Sequence, residues 1–416
     1  MAKPSALVIG GGVIGVAAAY YLARGGWAVT IVETGEICAG SSYGNGGLVV
    51  PSHSIPLAAP GVWLKGLKWM LNPESPFYIK PRLSPELLSW LWQFRAACTP
   101  ARAARAMPVL RDLSFASLAL FRELAAIPGF EFGFRQEGAL AVFRTEKAYE
   151  AALADARFLG EGGIPTKVLD GVAARALEPA LAPGVVGAIF FPDDALLIPD
   201  VFVRGLAALA EQLGVRIRTG TEVLGFLTRG ARITTVETTR GNLPAGEAVV
   251  LAAGSWSPRL AAAAGLRLPI QPAKGYSVTY RRPPDGLRIP LLLGEAKAGV
   301  TPMGDMLRYA GTLELAGLDL SINRRRVNAI IRSAAPYLRG AESLELLEIW
   351  RGLRPCTPDG LPVIGRPKRI ENLILATGHA MIGVSLGPIT GKLVAQLASG
   401  EPTAVDVGAL TPERFA

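Results

Sequence analysis

The sequence predicts an α/β fold built on a parallel sheet, and three stretches predict it. The first is LVIGGGVIGVAAAYYLARGGWAVTIVE, which opens the chain between Leu7 and Glu33. An apolar strand, Leu7–Ile9, breaks into Gly10, Gly11, Gly12 and Gly15. A helix runs from there to about Arg24, Gly25–Gly26 reverses the chain, and a β-branched strand, Ala28–Val32, ends on Glu33. The second stretch begins at Pro192. There a helix from near Pro199 to Gly214 leads into strand Val215–Ile217 and later into the buried strand Ala248–Leu251. The third is NLILATGHAMIGVSLGPITGKLVAQLA, a strand, a glycine turn and a closing helix.

The opening unit carries the G-x-G-x-x-G spacing in its full context of strand, turn, helix, strand and acid. Gly10 permits the tight turn, Gly12 lets backbone amides approach a pyrophosphate, and Gly15 lets the helix lie close on the strand. The positive end of the helix then favours the phosphate charge. Glu33, eighteen residues beyond Gly15, is placed to accept hydrogen bonds from a ribose hydroxyl. The sheet is therefore expected to be Rossmann-like and to bind an adenine dinucleotide. Ser5 to Ala23 carries no charge and Ala17–Ala19 imitates a cleavage site. Neither a leader peptide nor a membrane span has a use for four glycines at a phosphate-binding turn.

At 416 residues, half of them hydrophobic and 19% charged, the chain is globular and long enough for two domains or one elaborated one. Cys38, Cys98 and Cys356 have no metal-ligand spacing and make an odd number, so a reducing cytoplasm without disulfides is expected, and no metal site. The net charge of +9 permits an anionic substrate, nucleic acid or an anionic membrane surface. Its positive residues are scattered, and no nucleic-acid-binding motif occurs. The one run, Arg324–Arg326, opens an apparent helix and reads as a solvated face.

Between these landmarks, residues 39–47 are small and polar, with Ser41, Ser42 and Asn45. The loop is either a plain glycine-rich connector or, beside a dinucleotide fold, a wall of the cofactor site. Pro60 to Pro100 holds Trp63, Trp69, Trp90 and Trp92 among Leu64, Leu67, Met70, Phe77 and Phe94, with Lys65 and Lys68 interspersed. Such a segment suits a membrane interface, a pocket wall or a domain core. Helices are expected at 104–126, 145–161 and 322–335, and strands at 138–145 and 232–239. A β-rich stretch runs from Pro269 to Gly311. The closing glycine turn aims a helix N-terminus, near Gly383 and Gly387, at something anionic or electron-rich.

Six segments together resemble the FAD-dependent D-amino acid dehydrogenases, within the larger group of D-amino acid oxidase, glycine oxidase and sarcosine oxidase. They are VIGGGVIGVAAAYYLARGGWAVTIVE, SSYGNGG, AAPGVWLKGLKWM, KGYS, GLRPCTPDGLPVIG and TGHAMIGVSLG, and they span nearly the whole chain. The resemblance implies FAD and two interleaved domains: a Rossmann-like FAD-binding domain of 1–60, 192–256 and 346–416, and a mixed-sheet substrate domain of 61–191 and 257–345. It assigns Gly10, Gly12, Val13, Ile14, Gly15 and Glu33 to the ADP half, with the Val223 backbone at the adenine. Ser41, Ser42, Asn45, Gly46 and Gly47 would border the flavin, and Ala253 and Gly254 would also touch the cofactor. Gly378, His379, Ile382, Gly383, Val384 and Ser385 would surround the pyrimidine edge.

Arg354 occupies the place of the group's carboxylate-binding arginine, where a bidentate guanidinium fixes an amino acid in a way lysine does not copy. Some relatives have a second arginine after the Gly-His pair, whereas Ala380 and Met381 stand here, which implies a single anchor. Gly352 stands where covalent-flavin sarcosine oxidases carry cysteine, so non-covalent FAD is expected. The implied reaction passes hydride from Cα to flavin N5 as the imine forms, and hydrolysis gives a 2-oxo acid and ammonia. Orientation and desolvation suffice without a strict acid–base residue. His53 and His379 are the only histidines, and His379 is read as a flavin partner before a base. Tyr276 and Glu295 are candidates for the substrate pocket, or else strand residues with satisfied polar tips. Electrons would pass to a quinone or another non-oxygen acceptor, from a cytoplasmic enzyme in peripheral contact with the inner membrane face. Secondary amino acids such as proline, hydroxyproline, sarcosine or glycine are the alternative substrates. A flavoprotein for tRNA or electron transfer is a remoter reading, which a carboxylate clamp argues against.

Overall fold

Six strands form the sheet that the opening glycine turn sits on. Their order is Val363–Gly365, Leu373–Thr377, Ala248–Leu251, Ser5–Ile9, Ala28–Val32 and Arg216–Arg218. All neighbours are parallel except the first pair, an antiparallel edge. The computed structural model describes residues 3–63, 66 and 74–415. The three predicted stretches thus meet in one sheet, because strands apolar on both faces need helices on both sides. The first helix, Val13–Arg24, lies against the last, Gly387–Ser399. A Cβ on Gly391 would fall 2.5 Å from the Ala17 carbonyl oxygen. Ala17, Ala18 and Ala19 are the small, fully buried residues of this helical region.

The second sheet has nine strands. Leu346–Cys356, Gln271–Arg281, Met306–Leu315, Ala298–Met303, Leu291–Leu293, Ala139–Phe143, Gly187–Phe191 and Lys167–Asp170 follow in that order, and Phe77–Ile79 joins Met306–Leu315. Strand Leu346–Cys356 pairs along its length with Gln271–Arg281. This strand lies in the mixed sheet, and the chain returns to the parallel sheet at Val363. Alternation alone does not reveal a strand's partner.

The expected helices are present with shifted ends. Pro100–Ala125 starts four residues before the expected 104 because Thr99 caps it, accepting from the Arg102 amide, with Pro100 at the first position. Glu146–Glu161 and Arg324–Ala334 lie within the spans expected. The arginine run is only partly a solvated face. Arg326 is 1% exposed, pairs with Glu314 at 3.3 Å and lies over the Tyr78 ring.

The tryptophan-rich segment divides. In helix Pro85–Ala97, Trp90 and Phe94 stack at 5.0 Å in the core, and Trp90 Nε1 donates to the Cys356 carbonyl at 2.9 Å. Leu88 and Trp92, one turn apart on the same helix, are exposed. Leu64, Lys65, Leu67, Lys68, Trp69 and Met70 lie outside the described residues. Among the described residues, no helix is long and apolar enough to cross a membrane and no cluster has metal-ligand geometry. Cys38, Cys98 and Cys356 are free thiols.

Candidate active site

The glycine turn has the geometry its spacing demands. Gly10 has φ +115°, and a Cβ there would meet the Ala252 carbonyl oxygen at 2.6 Å. A Cβ on Gly15 would lie 1.9 Å from the Gly10 carbonyl oxygen. These two glycines bind the helix to the sheet. Gly12 is different, since its nearest neighbour is Ser42 Oγ at 3.4 Å, so its surface is open to a close ligand. Ser42 Oγ accepts from the Val13 amide at 3.0 Å, satisfying one donor of the helix N-terminus. Glu33 accepts from Gly11 N at 2.6 Å and Gly35 N at 2.8 Å. The carboxylate is thereby oriented at the strand end and retains further acceptor capacity. Beside it, Thr221 N donates to the Glu33 carbonyl, which brings Val223 alongside the same strand end.

Loop 41–47 leaves this turn and crosses one face of the large sheet. Ser41 Oγ donates to the Leu353 carbonyl and accepts from the Leu353 amide. Asn45 Oδ1 accepts from Gly47 N at 2.9 Å, and Gly46 lies 3.6 Å from the Ala310 methyl as measured from an added Cβ. Arg308, 3% exposed, holds the loop from beneath. Its Nη1 donates to the Tyr43 and Asn45 carbonyls at 3.0 and 3.1 Å, and its Nε donates to Thr279 Oγ1 at 3.1 Å. Nothing in the sequence pattern marks Arg308, because a strand arginine reads as a solvent-facing residue.

Arg354 stands on the same sheet face. In the antiparallel register it is opposite Ala273, and its guanidinium bends over Gly275, where an added Cβ would meet Nη1 at 1.7 Å. Nη1 donates to the Thr312 carbonyl at 2.8 Å. No acidic side chain pairs with Arg354 among the described residues, and desolvation lowers its pKa from the ordinary arginine value. It still stays protonated, as arginine does in proteins. A desolvated guanidinium with one protein acceptor keeps most of its donors for an anion. Thr312 itself has φ +60°, unusual for a β-branched residue. It sits in a bulge where the Lys274↔Glu314 and Tyr276↔Gly311 pairs are out of step, and this turns its carbonyl to the guanidinium. The Thr312 and Ser277 hydroxyls are buried without partners, which fits a site whose polar groups are completed by a bound molecule.

Two candidate pocket residues are placed elsewhere. Tyr276 alternates with Gly275 and so lies on the opposite face. Its hydroxyl donates to Glu314 at 3.0 Å beside buried Lys274 and Arg326. Glu295 accepts from the Arg144 and Thr145 amides, the Thr145 hydroxyl and Tyr337, at the start of helix Glu146–Glu161. Both polar tips have protein partners.

The closing turn lies across the ends of the parallel strands. Ala253 and Gly254 follow strand Ala248–Leu251, and Gly254 has φ +52° with no atom within 4 Å of an added Cβ. Gly378 has φ +77°, Ala380 N donates to the Pro355 carbonyl, and Ile382 N donates to the His379 carbonyl. Turns at Ile382–Leu386 and Val384–Gly387 precede the helix, which begins at Gly387. Gly383 thus lies in the turn before the N-terminus. Ser385 Oγ accepts from the Val50 amide, fastening this turn to the segment after the glycine loop. His379 is buried, with Nε2 2.9 Å from Thr390 Oγ1, and burial pulls its pKa down to about 3. Its imidazole is neutral at working pH. Cys356 is fully buried, and desolvation pushes its thiol up to about 12.

Gly12 and Gly254, with room around them, and the oriented Glu33 each stand at the ends of parallel strands, and they fit an adenine dinucleotide. The fold and the glycine turn define a dinucleotide-dependent oxidoreductase. Residues 5–397 match the DAO family model, described as FAD dependent oxidoreductase. A D-amino acid dehydrogenase of Methylobacterium radiotolerans is 37% identical over 99% of both chains, and one of Methylobacterium nodulans is 38% identical over 95% of both. The crystal structure of glycine oxidase from Geobacillus kaustophilus superposes with a TM-score of 0.80, covering 99% of this chain and 98% of its own, at 26% identity. The chain belongs to the DAO family and is an FAD-dependent oxidoreductase.

Proposed function

We propose that this enzyme oxidises D-amino acids to 2-oxo acids and ammonia and passes the electrons to a quinone or another acceptor than oxygen. The observation that carries the reading is Arg354, a desolvated guanidinium without an acidic partner, facing the same side as the loop that Arg308 holds. The D-amino acid dehydrogenase names of the full-length relatives support the same substrate class.

In this reading, segments 1–60, 192–256 and 357–416 hold FAD, and 61–191 with 257–356 hold the substrate. Gly10, Gly12, Val13, Ile14, Gly15, Glu33 and Val223 serve the adenosine diphosphate half. Ser41, Ser42, Asn45, Gly46, Gly47, Ala253, Gly254 and the Gly378–Ser385 turn serve the flavin. FAD, when bound, supplies the acceptor for the hydride leaving the substrate Cα. Arg354 holds the α-carboxylate, so Cα is fixed within a narrow range of positions. The substrate nitrogen loses its proton before transfer, and water then adds to the imine and releases ammonia. Burial pulls His379 down to about 3 and His53 to about 4, so neither imidazole titrates in the neutral range. We therefore expect kcat/KM to rise as pH rises through the ionisation of the substrate's own amino group. Substrates differing in amine pKa should move that limb with them. A limb between pH 6 and 7 that ignores the substrate would count against this assignment.

The flavin is held without a covalent bond, because Gly352 offers no thiol and Cys356 is buried and protonated. Acid precipitation should leave FAD in the supernatant, and yellow colour retained in the pellet would refute this. Exposed Leu88 and Trp92 seat the enzyme peripherally on the cytoplasmic leaflet, where quinone dissolves. The reading is tested by turnover with D-amino acids, following 2-oxo acid and ammonia while comparing a ubiquinone analogue with oxygen. Quinone reduction well ahead of peroxide formation is expected. Fast peroxide production without quinone reduction would overturn the acceptor. Turnover confined to proline, sarcosine or glycine would replace the substrate class.

A further inference from the structure

We propose that Trp350 is the specificity-determining residue of this site and that it selects D-amino acids with bulky apolar or aromatic side chains. This rests on reading Arg354 as the carboxylate anchor.

Trp350, Gly352 and Arg354 alternate along one strand and share a face. Gly352 is paired directly with Gly275 on the neighbouring strand. The Cβ space of Gly275 is filled by the Arg354 guanidinium, with Nη1 1.7 Å from an added Cβ. The Cβ space of Gly352 is filled by the Trp350 ring, with Cη2 2.1 Å from an added Cβ. Directly opposed Cβ positions in an antiparallel pair are about 5 Å apart, so the guanidinium and the indole stand side by side over two glycines. Any larger residue at 275 or 352 would displace one of them. The indole's other edge rests on Gly44, where an added Cβ would fall 2.0 Å from Cε3, so the ring is pinned between strand and loop. Trp350 is only partly buried and accordingly presents some of its surface.

An amino acid whose α-carboxylate is on Arg354 has its Cα one bond away and its side chain one bond beyond. That distance is comparable to the separation of the two groups. A pinned indole offers a rigid apolar surface and no charge, so it favours phenylalanine-, leucine- or methionine-type side chains over acidic or very small ones.

The test uses purified holoenzyme, with flavin absorbance confirming cofactor content in the wild type, W350F, W350A and R354A. Flavin absorbance also reads the binding of two unreactive carboxylates, phenylacetate and acetate. The wild type should bind phenylacetate about tenfold or more tightly than acetate and should prefer D-phenylalanine to D-alanine in kcat/KM. In W350A both preferences should fall by about tenfold or more, through KM before kcat, while W350F should keep most of each. Equal losses for large and small ligands in W350A, or preferences left intact, would overturn the proposal. Should W350A lack flavin, W350F with both preferences abolished would overturn it, and W350F with them retained would support it. R354A separates the two ideas, because loss of both carboxylates there upholds the anchor whatever Trp350 does.

Discussion

Replacing Arg354 with alanine should lower kcat/KM for amino acids by several hundred-fold or more while leaving FAD bound. The guanidinium is desolvated and has one protein acceptor, the Thr312 carbonyl at 2.8 Å. In the proposed site, truncation removes a charged, fork-shaped partner from the substrate carboxylate at a half-buried position. Removing one partner of such a pair costs roughly 3–5 kcal/mol. It also frees the substrate to rotate, so kcat should fall together with apparent affinity. Arg354→Lys should recover only part of the loss, since an ammonium group does not reproduce the two-point contact. Steady-state kinetics with flavin content measured in parallel checks this. Near wild-type kinetics in the alanine variant would reduce Arg354 to a structural ligand of the Thr312 bulge.

Gly15→Ala is expected to abolish FAD retention and to lower the melting temperature of the protein. The added methyl would stand 1.9 Å from the Gly10 carbonyl oxygen, and Gly10 is itself pressed against the Ala252 carbonyl. Both neighbours are backbone, so no rotamer change relieves the collision. The first helix would have to rise from the sheet, which disturbs its contact with the closing helix and opens the phosphate cradle. Overpacking in a dense core costs about 1–3 kcal/mol, and a backbone collision belongs at or above the upper end. Gly12→Ala makes the contrast, because only Ser42 Oγ at 3.4 Å limits a methyl there. It should fold normally and lose affinity for FAD. Thermal melts and flavin-to-protein ratios separate the two variants, and a Gly15→Ala protein as yellow and as stable as wild type would contradict the packing account.

The parallel sheet was legible because its signals are local. A glycine turn between a strand and a helix is written in consecutive residues, and Glu33 follows at a fixed distance. The site was legible only in part. Arg354 was reachable through the GLRP resemblance, but its surroundings were not. Gly275, Ser277, Arg308 and Thr312 act through cross-strand register, and register between distant strands is absent from a linear pattern. Tyr276 illustrates the consequence. One residue from Gly275 in sequence, it points through the opposite face of the sheet into the Lys274–Glu314–Arg326 network. The arginine run at 324–326 misled in a related way, because Arg326 is buried by the strand and loop that pack on its helix.

Anaerobic mixing of the oxidised holoenzyme with paired D- and L-enantiomers of one amino acid tests the central claim most directly. With the carboxylate held on Arg354, only one enantiomer can turn its Cα–H toward the cofactor while its side chain lies along the sheet face. The flavin absorbance should bleach with the D-enantiomer and remain unchanged with the L-enantiomer, and Arg354→Ala should abolish the bleaching. Bleaching by the L-enantiomer alone, or by neither, would contradict the account.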